Sequence, residues 1–213
     1  MKFDLYVITD QDVAGGLSHE EIARHAIAGG ADVIQLRDKA CGPRELLRIG
    51  RIIRKITRRT GIPFIVNDRL DVALACDADG VHLGQDDMGA GVARQIAPPR
   101  FIIGISVGTL DEAVRAEQEG ADYIAVSPVF PTTSKSDAGP GHGLDLLKKI
   151  RQIITIPVVA IGGINPGNVH EVIEAGADGV AVISAVVGDP DIKAAARNLK
   201  KKIRKSKAIL IEC

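Results

Sequence analysis

Neither sign of charge is in excess: lysine plus arginine and aspartate plus glutamate each number 27 in 213 residues. A chain without a net field has no global means of attracting nucleic acid or an anionic membrane, so any anion selectivity must be built locally. Long apolar runs are missing too. Charged or turn residues interrupt every hydrophobic stretch before the roughly 20 residues that span a bilayer, and the opening MKFDLYVITD has no signal-peptide core. We therefore expect a soluble chain that partners with neither nucleic acid nor membrane. Cysteine is scarce: Cys41, Cys76 and Cys213 are odd in number and unclustered. That pattern argues against a disulfide frame or a cysteine zinc site and fits a reducing compartment, the cytoplasm. No linker or low-complexity stretch divides the chain, which is long enough to bury roughly 70% of its unfolded surface in one core.

What the sequence does contain is a repeat. Four segments lead from small or acidic residues into an apolar run: GGADVIQLRD from Gly29, CDADGVHLGQ from Cys76, EGADYIAVSP from Glu119 and AGADGVAVIS from Ala175. The pattern reads as a glycine ending a helix, followed at once by a short strand. Four more strands are expected between them, in LYVIT from Leu5, PFIV from Pro63, FIIGI from Phe101 and PVVAI from Pro157. Helical periodicity fills the intervals, most clearly in Pro43 to Arg58, Leu110 to Glu119, Asp145 to Gln152 and Val169 to Ala175. Eight apolar strands alternating with helices predict an α/β fold with a closed parallel sheet, a (β/α)8 TIM barrel, in a single domain over 1–207. An open doubly wound sheet would usually carry a glycine-rich dinucleotide fingerprint after strand 1, where this chain has TDQDVAGGLS. Residues 208–213, closing the stretch KKKIRKSKAILIEC, read as a C-terminal tail with a solvated basic face.

Barrel enzymes work at the rim formed by the C-terminal ends of the strands. There strand 2 runs into Gln35, Arg37 and Lys39, whose period-two spacing points them to one side, and a guanidinium fork beside an ammonium and an amide suits a diphosphate. Strand 3 runs into Asn67 and Asp68, and strand 4 into His82, Gln85, Asp86 and Asp87. Carboxylates from two neighbouring strand ends suit Mg²⁺ held jointly with substrate phosphate, and spacing alone does not choose between Asp86 and Asp87. His82 has no cysteine or histidine partner in sequence and reads as a hydrogen-bonded rim histidine. Ser106 ends strand 5. The loop Ser127 to Gly143 is long for a connector and carries Thr132, Thr133, Ser134 and Lys135, hydroxyls beside an ammonium, as a lid would. Gly162 and Gly163 end strand 7, and Ser184 follows strand 8, where barrels often bind phosphate through backbone N–H groups. Two anion pockets result, as two phosphorylated reactants require.

The motifs QLRDK, VND, VHLGQDD, GIS, PTTSK, AIGGI and AVIS, in this order along nearly the whole chain, resemble the thiamine-phosphate synthase family. The resemblance implies an enzyme, a transferase joining a pyrimidine diphosphate to a thiazole phosphate with release of pyrophosphate, and two small-molecule substrates as partners. It implies that Gln35, Arg37, Lys39, Asn67, Ser106 and Lys135 bind the pyrimidine diphosphate, with Arg37, Lys39 and Lys135 stabilising the leaving group. It implies Asp68 and Asp87, rather than Asp86, as ligands of a Mg²⁺ cofactor. Thr132, Ser134, Gly163, Ile183 and Ser184 fall to the thiazole phosphate; Ser134 stands where the family pattern has threonine and keeps the hydroxyl. A thiazole tautomerase on the same fold would need neither metal nor diphosphate, so the acidic pair and the intact Q-x-R-x-K argue against it. A Schiff-base aldolase would need a buried strand lysine, which no strand supplies. A non-catalytic thiamine-phosphate sensor would differ by having no turnover.

Overall fold

A computed structural model describes residues 4–132 and 141–212. Its first half runs β1 (Leu5–Thr9), α1 (His19–Gly29), β2 (Val33–Leu36), α2 (Pro43–Arg58), β3 (Phe64–Asn67), α3 (Leu70–Ala75), β4 (Gly80–Leu83) and α4 (Ala90–Ile96). The second half runs β5 (Ile102–Val107), α5 (Leu110–Gln118), β6 (Tyr123–Val126), α6 (Gly143–Ile153), β7 (Val158–Ile161), α7 (Val169–Glu174) and β8 (Gly179–Val182). It closes with the short α8 (Ser184–Val187) and with α9 (Ile192–Glu212). All the strands pair in parallel, each with the next and β8 with β1, so the sheet closes as a (β/α)8 barrel. Among the described residues no helix is long and apolar enough to cross a membrane. The stretch expected as a tail from 208 is instead the continuation of α9, whose helical pattern runs unbroken to Glu212.

The four-copy repeat has a physical explanation. Each copy places one aspartate just before an even-numbered strand, and its carboxylate accepts the first free N–H of the preceding odd strand. Leu5 donates to Asp32 at 2.9 Å, Phe64 to Asp79 at 2.8 Å, Ile103 to Asp122 at 2.7 Å and Val158 to Asp178 at 2.8 Å. The aspartate N–H returns a bond to the carbonyl of the same partner residue each time, at 2.8 Å. A cation from a helix completes each staple: Lys200 on Asp32, Arg54 on Asp79, Arg94 on Asp122 and Arg151 on Asp178. Strand starts would otherwise leave N–H groups unpaired at the base of the barrel, so the repeat encodes their satisfaction.

Two apolar layers surround this frame. Between strands and helices lies the main core, where Leu5, Ile34, Leu36, Phe64, Leu83 and Ile103 meet helix residues such as Ile22, Ile53 and Leu147. Inside the barrel a second cluster of Tyr6, Ile8, Val33, Ile65, Tyr123, Val159 and Ile161 fills the lumen. Gly104 makes room there: a Cβ on it would come within 2.1 Å of the Tyr123 ring. With the lumen filled, the rim is where a barrel of this kind binds its ligands.

Candidate active site

β2 ends at Leu36, so strand alternation stops before Arg37 and Lys39. Gln35 is buried inside the barrel, where its Nε2 donates to the Tyr6 hydroxyl at 2.7 Å and its Oε1 has no hydrogen-bond partner among the described residues. The expected single row of three side chains is thus one group below the rim and two above it. Arg37 is held by a residue that sequence spacing did not suggest: Asp10, just past β1, takes its Nη1 at 3.2 Å, with the two side chains 10% and 13% exposed. Lys39 sits in a turn drawn in by Asp38, whose Oδ1 accepts the N–H groups of Ala40 and Cys41 at 2.9 Å each. Burial pushes the Asp38 carboxyl up, but the hydrogen bonds from Cys41, His19 and Ala40 outweigh it and hold it below the ordinary carboxylate range.

Asp68 adopts φ of 62°, a left-handed conformation that aspartate tolerates better than most residues, and its N–H bonds the His82 carbonyl at 2.8 Å. Its carboxyl shares one cavity wall with that of Asp87, near enough for the charge of Asp87 to act on it. Asp86 and Asp87 are both exposed on this wall, and of the two it is the charge of Asp87 that acts on Asp68. Asp87 is itself oriented by the Gly84 N–H, 2.7 Å from its Oδ2. Burial, then the charge of Asp87, push the Asp68 carboxyl up to about 6, against the opposing pull of Lys39 and Arg37. Two acidic groups pressed together in this way favour either a shared proton or a divalent cation.

These groups surround one cavity of about 350 Å³, lined by Arg37, Lys39, Asn67, Asp68, His82, Gly84, Gln85, Asp86, Asp87, Ser106, Ser127, Pro128 and His142. Beside it, a small pocket of about 30 Å³ lies among the ends of β6, β7 and β8. Thr132, Gly162, Gly163, Ile183 and Ser184 line this second pocket together with Ser127 and Pro128, which form a wall common to both. Gly162 and Gly163 have φ of 102° and 63°, and a Cβ on Gly163 would meet the Pro131 carbonyl at 2.6 Å and Phe130 at 2.7 Å. Glycine is therefore required so that the segment after β6 can lie on the segment after β7. Hydrogen bonds from Val129 to Ile161 and from Phe130 to Gly162, at 2.8 and 3.1 Å, seal that contact. Ser134 and Lys135 lie outside the described residues, as does Thr133.

Asp10, Tyr6, Tyr123, Ser127, Pro128 and His142 stand at the site without having been singled out from the sequence. The one available signal was that both tyrosines of the chain sit in otherwise aliphatic strands. Among the described residues no cluster of three or more His, Cys, Asp or Glu could hold a metal alone. A pair of carboxylates that leaves most of the coordination shell to water and substrate oxygens fits Mg²⁺ and does not fit a structural zinc.

A family model described as thiamine monophosphate synthase matches residues 5–186. A thiamine-phosphate synthase of Methanoregula boonei is 64% identical over 207 residues, 97% of this chain and 96% of the relative. One from Methanocella arvoryzae is 62% identical over 200 residues, 94% of each. The solved structure of thiamine phosphate pyrophosphorylase from Pyrococcus furiosus superposes with a TM-score of 0.89 at 48% identity, covering 96% of both chains.

Proposed function

The chain belongs to the thiamine monophosphate synthase family and is a transferase with thiamine-phosphate synthase activity; from that premise we propose how its rim divides the two substrates. The larger cavity takes the pyrimidine diphosphate and the smaller pocket takes the phosphate of the thiazole. The observation that carries this division is the wall of Ser127 and Pro128, with cations and paired carboxylates on one side and glycine and hydroxyl groups on the other.

In this assignment Gln35, Arg37, Lys39, Asn67, Ser106 and Lys135 bind the pyrimidine diphosphate. The buried, unpartnered Oε1 of Gln35 suits an N–H of the pyrimidine. Thr132, Ser134, Gly163, Ile183 and Ser184 bind the thiazole phosphate. Asp68 and Asp87 hold Mg²⁺, which when bound neutralises charge on the diphosphate. The C–O bond to the diphosphate breaks with its electron pair leaving on oxygen, and the lone pair of the thiazole nitrogen closes the new C–N bond on the resulting pyrimidylmethyl cation. No protein nucleophile is needed. Arg37, Lys39 and Lys135 act on the negative charge that grows on the departing group, where fixed electrostatics contribute several kcal/mol. Arg37 is ready for this before substrate arrives, because Asp10 already holds the fork at the rim. We place the reaction in the cytoplasm, which the free thiols of Cys41 and Cys76 suit.

Pyrophosphate release measured while Mg²⁺ is titrated tests this reading. Release should require the metal and both substrates together. Equal release without the thiazole phosphate, or without Mg²⁺, contradicts it.

A further inference from the structure

A continuous line of polar side chains runs through the apolar lumen of the barrel and ends in the larger cavity. Gln35 Nε2 lies 2.7 Å from the Tyr6 hydroxyl, which lies 3.0 Å from the Tyr123 hydroxyl. Tyr123 lies 2.9 Å from His82 Nδ1, and His82 Nε2 lies 2.9 Å from Ser106 Oγ. Five residues from β2, β1, β6, β4 and β5 are joined in this way. Polar groups in a filled barrel are costly unless every one is satisfied, so a line of them calls for a reason. The packing is specific: the Tyr123 ring occupies the space over Gly104 and stacks on His82 with centroids 5.6 Å apart.

The line has a direction. An amide nitrogen can only donate, so Tyr6 accepts from Gln35 and gives its own proton to Tyr123. Burial pushes both phenols up, Tyr6 and Tyr123 alike, so each stays neutral with one proton to give. Tyr123, already accepting from Tyr6, donates to Nδ1 of His82. An imidazole that accepts at Nδ1 carries its proton on Nε2, and that proton goes to Ser106 Oγ. With its oxygen occupied as an acceptor, the Ser106 hydroxyl has its own proton left to give to whatever fills the cavity.

We propose that Tyr6, Tyr123 and His82 are positioning residues that make Ser106 an obligate hydrogen-bond donor to the departing diphosphate. The inference rests on the assignment of Ser106 to the diphosphate pocket. A hydroxyl free to rotate would have to reorient as negative charge grows. One fixed from inside the barrel stabilises that charge with no reorganisation. In this line the Nε2 proton of His82 points to Ser106.

Single-turnover pyrophosphate release, with both substrates and Mg²⁺ saturating, tests this in Ser106→Ala, Tyr123→Phe and the double variant. Ser106→Ala should lower the rate about 10²-fold, as loss of one such donor does. Tyr123→Phe should lower it about tenfold, and the double variant should be no slower than Ser106→Ala, because Tyr123 acts through Ser106. Losses that multiply would show a packing role and overturn the proposal. Tyr6→Phe, one link further from the cavity, should repeat the result and serves if Tyr123→Phe does not fold. The ¹⁵N NMR spectrum of the imidazoles, with His82→Asn identifying its signals among the five histidines, should show the Nε2–H tautomer in the unaltered protein and mixed tautomers in Tyr123→Phe. A proton on Nδ1 in the unaltered protein reverses the line and overturns the proposal. If Ser106→Ala itself turns over normally, the assignment of Ser106 fails first, and the proposal falls with it. If Ser106→Ala is slow while Tyr123→Phe is unimpaired, only the proposal falls.

Discussion

The carboxyl groups of Asp68 and Asp87 face one cavity at the mouth of the barrel, where burial and the charge of Asp87 together raise Asp68. With Asp87 as the proposed metal ligand, Asp87→Asn should slow turnover far more than Asp86→Asn, by about 10²-fold, the upper range for loss of a group supporting a metal. Steady-state rates of the two variants at saturating Mg²⁺ check this. Equal losses contradict it.

The same pair sets a pH dependence in the metal-free protein. Asp68 is raised from its ordinary range to about 6, so it stabilises the fold below its unfolded value of 3.8 and loses that contribution as pH rises through 6. Metal-free Asp68→Asn should lack this decline. Thermal unfolding between pH 4 and pH 7 in chelator measures it: the melting temperature of Asp68→Asn relative to the unaltered protein should rise across that window. A difference that stays flat with pH would show that neither burial nor the charge of Asp87 raises the Asp68 carboxyl.

Rim and base should separate cleanly. Asp79 accepts the Phe64 N–H and the Arg54 guanidinium at the base. Asp79→Ala leaves a backbone donor without its partner and should cost about 1–3 kcal/mol of stability while the saturated turnover rate holds. Denaturant unfolding beside steady-state kinetics checks it. A fall in rate measured at a temperature where the variant stays folded would contradict the separation.

Gly163 tests the smaller pocket. A Cβ there collides with Pro131 and Phe130 and the backbone sits at φ of 63°, so Gly163→Val should shift the segment that walls the pocket. Thiazole-phosphate affinity should fall by about tenfold or more, since backbone strain and a clash of this kind cost of order 1–3 kcal/mol. Pyrimidine-diphosphate affinity should hold. Titration calorimetry with each substrate separately gives both values, and a loss confined to the diphosphate would reverse the two pockets.

The barrel was legible because its repeat is a requirement of the backbone: Asp32, Asp79, Asp122 and Asp178 must each precede a strand to satisfy the strand before it. Arg37, Lys39, Asn67, Asp68, Asp87 and Ser106 could be gathered from sequence because strand ends converge in a closed barrel, and they do line one cavity. Partners brought together only by closure were not legible. Tyr6 and Tyr123 bond across 117 positions, and an aromatic residue in an apolar strand looks like any other core residue until its neighbour is known. Asp10 is of the same kind, lying 27 positions from Arg37. Gln35 was expected at the rim with Arg37, yet β2 ends at Leu36 and leaves it below. Residues 208–212 looked like a tail because lysines crowd the helix before them, but the helical pattern continues through them.

The division of the rim into a diphosphate side and a thiazole-phosphate side depends most on Arg37. Lysine in its place keeps the charge and loses the planar fork that can hold two oxygens at once. If the fork tightens as charge builds on the leaving group, Arg37→Lys lowers the rate at saturation, by about 10²-fold for ~2.7 kcal/mol. The direct measurement is single-turnover pyrophosphate release by Arg37→Lys with both substrates saturating, beside a titration of thiazole phosphate. The chemical step should be slowed with thiazole-phosphate affinity unchanged. A normal chemical step with weakened thiazole-phosphate binding would contradict it.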